Sequence, residues 1–269
     1  MSFGPLVGGV ALIVLLTVYQ FRAKEPLLTV RTMLTSTIPV AQIVLALFAA
    51  AASVSATVLT ADLLAEHYGP LRIGLLFLPE LSGAVLTAVL LGQLLSRRAI
   101  HYLPFVGMLF LAAGIGIFRI ELPPSQALTL VGSAVTGIGL GASVAPALFV
   151  AGLSLPAANL QRVFAIVELY RAVAAFMIAP VFVHFAVGVH RTGIAMWVGL
   201  GLAVTGTAIA LILYALGGAR AQTPKLEPFF AGESGAWYSP PLLAAVRRRT
   251  PARHGEDAAH SERPAEESA

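Results

Sequence analysis

Seven runs of apolar residues organise the chain up to position 217, with short polar stretches between them. They cover 3–21, 36–61, 71–95, 102–118, 126–153, 163–187 and 193–216. A helix needs about 20 apolar residues to cross a ~30 Å hydrocarbon core, and each run is close to that length or longer. Their interiors hold almost no acidic or basic residue, the exceptions being Glu80, Glu168 and Arg171. Lipid offers no partner to a backbone N–H or C=O, so each run must satisfy its own groups and is predicted to be a helix. The ~10-residue alternating segments of a membrane β-barrel are missing. The predicted fold class is therefore all-α: a polytopic membrane protein with seven transmembrane helices.

Composition strengthens this picture. Of 269 residues, 58% are hydrophobic and 11% charged, and the mean hydropathy is +0.86. Soluble domains carry about 25% charged residues, so most of this surface faces something other than water. There is no cysteine, which excludes disulfides and thiolate metal sites. The formal net charge of +4 comes largely from loops and tail and bears on orientation, not on nucleic-acid binding. The first run lacks the basic n-region and cleavage site of a signal peptide.

Arg22, Lys24, Arg31, Arg97, Arg98, Arg162, Arg220 and Lys225 all fall on one side of the predicted helices. Arg72, Arg119 and Arg191 fall on the other. Basic residues in short loops stay in the cytoplasm, so the N-terminus is expected outside and the C-terminus in the cytoplasm, as an odd helix count requires. From 218 the chain turns rich in Pro, Glu, Ser and Arg. Such a stretch cannot bury enough apolar surface to offset its ordering entropy, so 218–269 is expected to be a disordered, solvated tail. A second reading has Trp237, Tyr238, Leu242 and Leu243, ahead of Arg247, Arg248 and Arg249, touching the membrane surface.

Three local patterns recur in one known family. RAKEPLLTVR at 22–31 looks like an "EPLLdLr" segment. YGPLRIGLLFLP at 68–79 is similar to "GysplqaGlallP", and VFAIVELYR at 163–171 resembles a penultimate helix in which an Arg follows small residues. In order and spacing the three resemble the major facilitator superfamily, within it the fourteen-helix drug:proton antiporters, over the C-terminal half alone. The resemblance implies a linker helix and cytoplasmic loop at 1–34 and a six-helix transmembrane bundle at 35–217. Such a bundle is built of two inverted three-helix repeats. It also implies a plasma-membrane, multi-pass protein working as a multidrug efflux transporter.

The loop after the third run departs from the family's "GrLlDRxGrR". It reads GQLLSRRAIH, with Gly92 and Arg97 retained, Arg98 at the unspecified position, Ser96 at the place of the Asp and Ala99 at that of the Gly. Ser96 can cap a helix but brings no charge. Glu168 and Arg171 are three apart and share a helix face. They read either as a polar element of a central cavity, with Glu168 able to change protonation, or as a self-neutralising pair with Arg171 snorkelling. The resemblance carries Arg171 but not Glu168. Glu80 follows Pro79 and has no opposite charge near it in sequence. It reads as a proton or cation group facing the cavity or as an acid buried in the bundle. His184 reads as an interfacial residue. Gly137, Gly139 and Gly141, followed by Pro146, read as close helix packing and a bend, because no Lys follows the glycines as a phosphate loop demands.

The functional expectation is half of a major-facilitator-type membrane transporter, exporting amphipathic small molecules in exchange for protons. Its partners are the lipid bilayer, a small-molecule substrate, and an N-terminal-half partner or a second copy, because alternating access needs two bundles. The alternative is a non-transporting remnant or membrane interaction partner. An enzyme is not expected, since no nucleophile sits near a base and the histidines are scattered at helix edges. No cofactor or metal is implied.

Overall fold

The computed structural model describes residues 4–22, 34–95, 97–157, 160–188, 192–219, 229 and 237–242. Among these residues the chain is helical, with seven α-helices and no strand. They are α1 (Gly4–Arg22), α2 (Thr37–Ala65), α3 (Pro70–Leu94), α4 (Leu103–Ile120), α5 (Gln126–Leu153), α6 (Leu160–Gly188) and α7 (Thr192–Gly217), with a 3-10 turn at Arg98–His101 before α4. The helices α2 to α7 are long and apolar enough to cross a membrane, six in all. The first predicted span is also helical over 19 residues, and its described side chains Leu12, Leu15 and Tyr19 point outward. Thus the described chain is that of a multi-pass membrane protein. Helix ends lie within a few residues of those expected from the apolar runs.

Local chemistry sets several of these ends. Gly69 precedes Pro70 at the first position of α3, where a missing N–H does no harm. Ser125 caps α5 by accepting from the Leu128 N–H at 3.4 Å. Gly218 takes φ 65°, a left-handed conformation that suits a residue without Cβ, and the Ala219 N–H closes back on the Tyr214 carbonyl at 3.1 Å.

Two helices organise the packing. α2 lies against α7, α6 and α5, while α5 lies against α4, α3 and α2. Exchanging α2, α3 and α4 with α5, α6 and α7 maps these pairings onto one another. α2 is the most enclosed helix; Ala41, Ala46, Ala49 and Ala52 show no exposed surface. Small side chains let neighbouring helices approach closely where lipid gives no hydrophobic drive between them. One large cluster joins Ala49, Ala52 and Leu59 of α2 to Leu111 and Phe118 of α4 and Ala203 of α7.

The glycines of α5 face two different helices. A Cβ on Gly137 would fall on the Glu80 carbonyl, and one on Gly141 would fall on Thr87 and Ala84, all on α3. A Cβ on Gly139 would fall on the Leu111 amide of α4. The i, i+4 pair therefore serves one crossing and the glycine between them the other, as the 3.6-residue period requires. Pro146 is buried further along α5.

The tail differs from expectation over one stretch. Residues 237–242 are hydrogen-bonded to the bundle, through Trp237 to Leu153, Pro240 to Thr37 and Leu242 to Thr35. The average composition of 218–269 predicts a solvated chain, but this short aromatic and prolyl piece finds unsatisfied helix ends to bind. Leu243, Arg247, Arg248 and Arg249 lie outside the described residues.

The close crossings give a stability contrast. Gly137→Ala is expected to lower stability by roughly 1–3 kcal/mol, because backbone cannot swing aside as a flexible side chain can. Gly116 on α4 has open space where a Cβ would go, so Gly116→Ala is expected to be neutral or to stabilise by up to about 1 kcal/mol through helix propensity. Thermal unfolding followed by circular dichroism in detergent distinguishes the two; equal behaviour would contradict the packing argument.

Candidate functional site

Glu80 sits in the middle of α3, and its carboxylate meets hydroxyls from α2. Thr57 Oγ1 donates to Glu80 at 3.2 Å (Oε2) and 3.3 Å (Oε1), and Ser53 Oγ lies 3.4 Å from Oε1. Ser53 and Thr57 are four apart, so both project from one face of α2. Ser53 is buried, while Thr57 and Glu80 are half-buried. The backbone beneath is fixed from the other side. The Glu80 carbonyl rests on Gly137, and Ser133 of α5 donates its hydroxyl to the Leu76 carbonyl at 3.0 Å.

Pro79 explains why this part of α3 needs outside help. A proline inside a helix has no N–H to give the carbonyl four residues back, and its ring crowds that turn. Membrane helices tolerate this when neighbours and hydroxyl side chains supply the missing bonds. Pro79 leaves the Leu75 carbonyl without its donor, and Ser133 braces the same turn by bonding the next carbonyl, that of Leu76. The α3 surface turned away from α5 is apolar and exposed, with Leu71, Leu75, Leu78, Leu81 and Val85 each more than half exposed.

Glu168 and Arg171 form a self-contained pair on α6. Arg171 donates through Nε at 2.8 Å and through a terminal nitrogen at 2.6 Å, both to Glu168 Oε2. Both side chains are half-exposed. No hydrogen bond or ion pair joins either of them to Glu80 among the described residues. The candidates thus fall into two separate constellations.

The loop candidates are placed less tightly. Gly92 has open space around it. Arg97 and Arg98 are exposed at the start of the 3-10 turn, where the Arg97 N–H bonds the Leu94 carbonyl at 2.9 Å. Ser96 lies outside the described residues. His184 is half-buried near the end of α6. Among the described residues no group of three or more His, Cys, Asp or Glu side chains comes together as a metal site.

Sequence reasoning missed Ser53 and Thr57. The available signal was their i, i+4 spacing in a mostly apolar, alanine-rich helix. It also missed the Gln42–Tyr214 bond, in which Gln42 Nε2 donates to the Tyr214 hydroxyl at 2.6 Å and ties α2 to α7.

The two acids differ in what they can do. A hydroxyl can donate to a carboxylate or accept from a carboxylic acid. Glu80 can therefore gain or lose a proton while Ser53 and Thr57 stay bonded to it. Protonating Glu168 instead leaves the Arg171 cation without its counter-charge. Comparison of the chain with family models, characterised proteins and solved structures finds no match.

The ion pair is open to a double-mutant cycle. Glu168→Gln and Arg171→Met are each expected to cost about 1–2 kcal/mol, between the values for surface and buried pairs. The double replacement is expected to cost less than either single one. Additive losses in thermal unfolding would show that the pair is not coupled.

Proposed function

We propose that the chain is one bundle of a major-facilitator-type transporter, sited in the plasma membrane with its N-terminus outside and its C-terminus in the cytoplasm. It exports amphipathic small molecules in exchange for protons, with Glu80 as the titrating group, and it works with a second bundle. The observation that carries this reading is the pairing of the helices. Exchanging the α2–α4 and α5–α7 triplets preserves the main pairings, those of α2 with α5, α6 and α7, of α5 with α2, α3 and α4, and of α4 with α7, while the lesser contacts of α2 with α4 and of α6 with α7 have no counterpart. Three consecutive membrane helices reverse direction relative to the next three, so an exchangeable pairing of this kind is what two inverted repeats produce.

Further features support the same reading. Glu80 faces polar partners on one of the two organising helices. α3, α5 and α6 each contain a proline, Pro79, Pro146 and Pro180, where a helix can bend without breaking its neighbours' bonds. A single bundle forms one wall of a pathway, and alternating access needs a second bundle rocking against it. The exposed apolar surface of α3 is of the kind such a second wall or lipid would cover.

Mass measurement of the purified protein in mild detergent tests assembly first. A dimer, or a stable complex with a second bundle, is the expected result. That assembly, placed in vesicles, is then expected to move an amphipathic dye against its gradient when a pH gradient is imposed, and Glu80→Gln is expected to abolish the movement. Glu168→Gln is expected to retain it in whatever fraction folds. A strictly monomeric chain, or dye movement indifferent to Glu80→Gln, would sink the reading and leave a membrane interaction protein.

A further inference from the structure

The first turn of a helix presents N–H groups with no intrahelical partner, and the last turn presents such carbonyls. Ser36 stands at the N-cap of α2, a residue type that ordinarily accepts from those N–H groups through its own side chain. Here it makes no such bond. The acceptors arrive from residues 203 and 201 positions further along the chain. The Pro240 carbonyl accepts from the Thr37 N–H at 3.0 Å and from the Thr37 hydroxyl at 2.8 Å. The Ser239 hydroxyl accepts from the Ile38 N–H at 3.0 Å. The Leu242 N–H donates to the Thr35 carbonyl at 2.8 Å, with Ser36 and Pro241 facing each other in an antiparallel bridge.

The same short segment also binds the end of α5. The Trp237 N–H donates to the Leu153 carbonyl at 2.9 Å. Its ring lies over His101, 4.6 Å between centroids, and packs on a cluster of Ile38, Leu91, Ile100 and Val150. Those residues come from α2, α3, the 3-10 turn and α5. One hexapeptide thus satisfies orphan donors at the start of α2 and an orphan acceptor at the end of α5. These are the two helices on which the others pack.

We infer that residues 237–242 form a strap that clamps the start of α2 to the end of α5 and keeps this end of the bundle closed until it lets go. A segment lying on one helix alone could ride along with that helix. This one bonds both, so the two ends cannot part without breaking its bonds to one of them. The strap rests on the transporter reading only for what an opened end would admit.

The chain has no cysteine, so introduced thiols react without background. Ile100→Cys places a reporter at a position with no exposed surface, in the cluster that Trp237 covers. Its reaction with a water-soluble maleimide is expected to be slow in the full chain. Trp237→Ala and Ser239→Ala are each expected to speed it, the former by roughly tenfold, as loss of a local closure does. Ser239→Ala removes one acceptor and no apolar packing, so it keeps the result readable if Trp237→Ala disturbs the fold. Ser36→Cys combined with Pro241→Cys is expected to oxidise spontaneously and to slow the reporter further. A non-hydrogen-bonded antiparallel pair has its Cα atoms ~4.5 Å apart, within disulfide range.

Labelling rates that ignore all three changes would overturn the strap, as would a Ser36→Cys, Pro241→Cys pair that stays reduced under oxidant. The assay needs no substrate and no gradient. A protein that moves no dye can still show the strap, and a working transporter can still lack it.

Discussion

Gly137 has no side chain, and the Glu80 carbonyl fills the space where one would be. From that approach follow the height and the angle at which α3 meets α5, and with them the direction in which the Glu80 carboxylate leaves its helix. Two residues on, Gly139 does the same for α4 against Leu111. A hydrophobic core in water would be held together by the removal of apolar surface, but lipid tails are as apolar as leucine. Close backbone approach and a few hydroxyl bonds must supply what that term does not. Ser133 to the Leu76 carbonyl is a bond of that sort at the same crossing. The position of the central acid is thus tied to two absent side chains on a neighbouring helix, those of Gly137 and Gly141.

Much of this architecture was legible in the sequence, for a physical reason. Hydrocarbon thickness sets a minimum run of apolar residues, and that constraint marks helix positions whether or not tertiary contacts are known. The Glu168–Arg171 pair was legible too, because a spacing of three places both groups on one face of a single helix. The partners of Glu80 were not. They sit on a different helix, and the sequence does not say which face of α2 turns toward α3. The two polar residues four apart, Ser53 and Thr57, were the available hint, and it says only that they share a face.

The strap was illegible for the opposite reason. The composition of 218–269 is that of a chain that cannot fold on its own. It conceals six residues whose role is to complete other elements. Ser239 and Pro240 supply acceptors that Ser36 does not provide through its own side chain, and Trp237 brings apolar surface to a cluster drawn from four elements. Capping is usually read locally, from the residue just before the helix. Here the residue is of the right type and the cap comes from elsewhere, so a local reading gives the right helix start with the wrong partner.

Strap and carboxylate meet in α2. Its first turn is bonded to Pro240 and Ser239, and its middle carries Ser53 and Thr57 against Glu80. From Thr37 to Ser53 is ~24 Å of helix at 1.5 Å per residue. A helix is stiff over that length, so a shift at one point is passed to the other as a tilt or a rotation. Hydroxyls 3.2–3.4 Å from a carboxylate are at the long end of hydrogen-bonding distance, and a displacement of about 1 Å there is enough to make or break the bond. The Glu80 carboxylate and the 237–242 segment are therefore linked through one rigid element. On the proposed reading, altering the proton on Glu80 and releasing the strap act on the same helix from two places. By linkage, whatever free energy one contributes to the position of α2 is felt by the other.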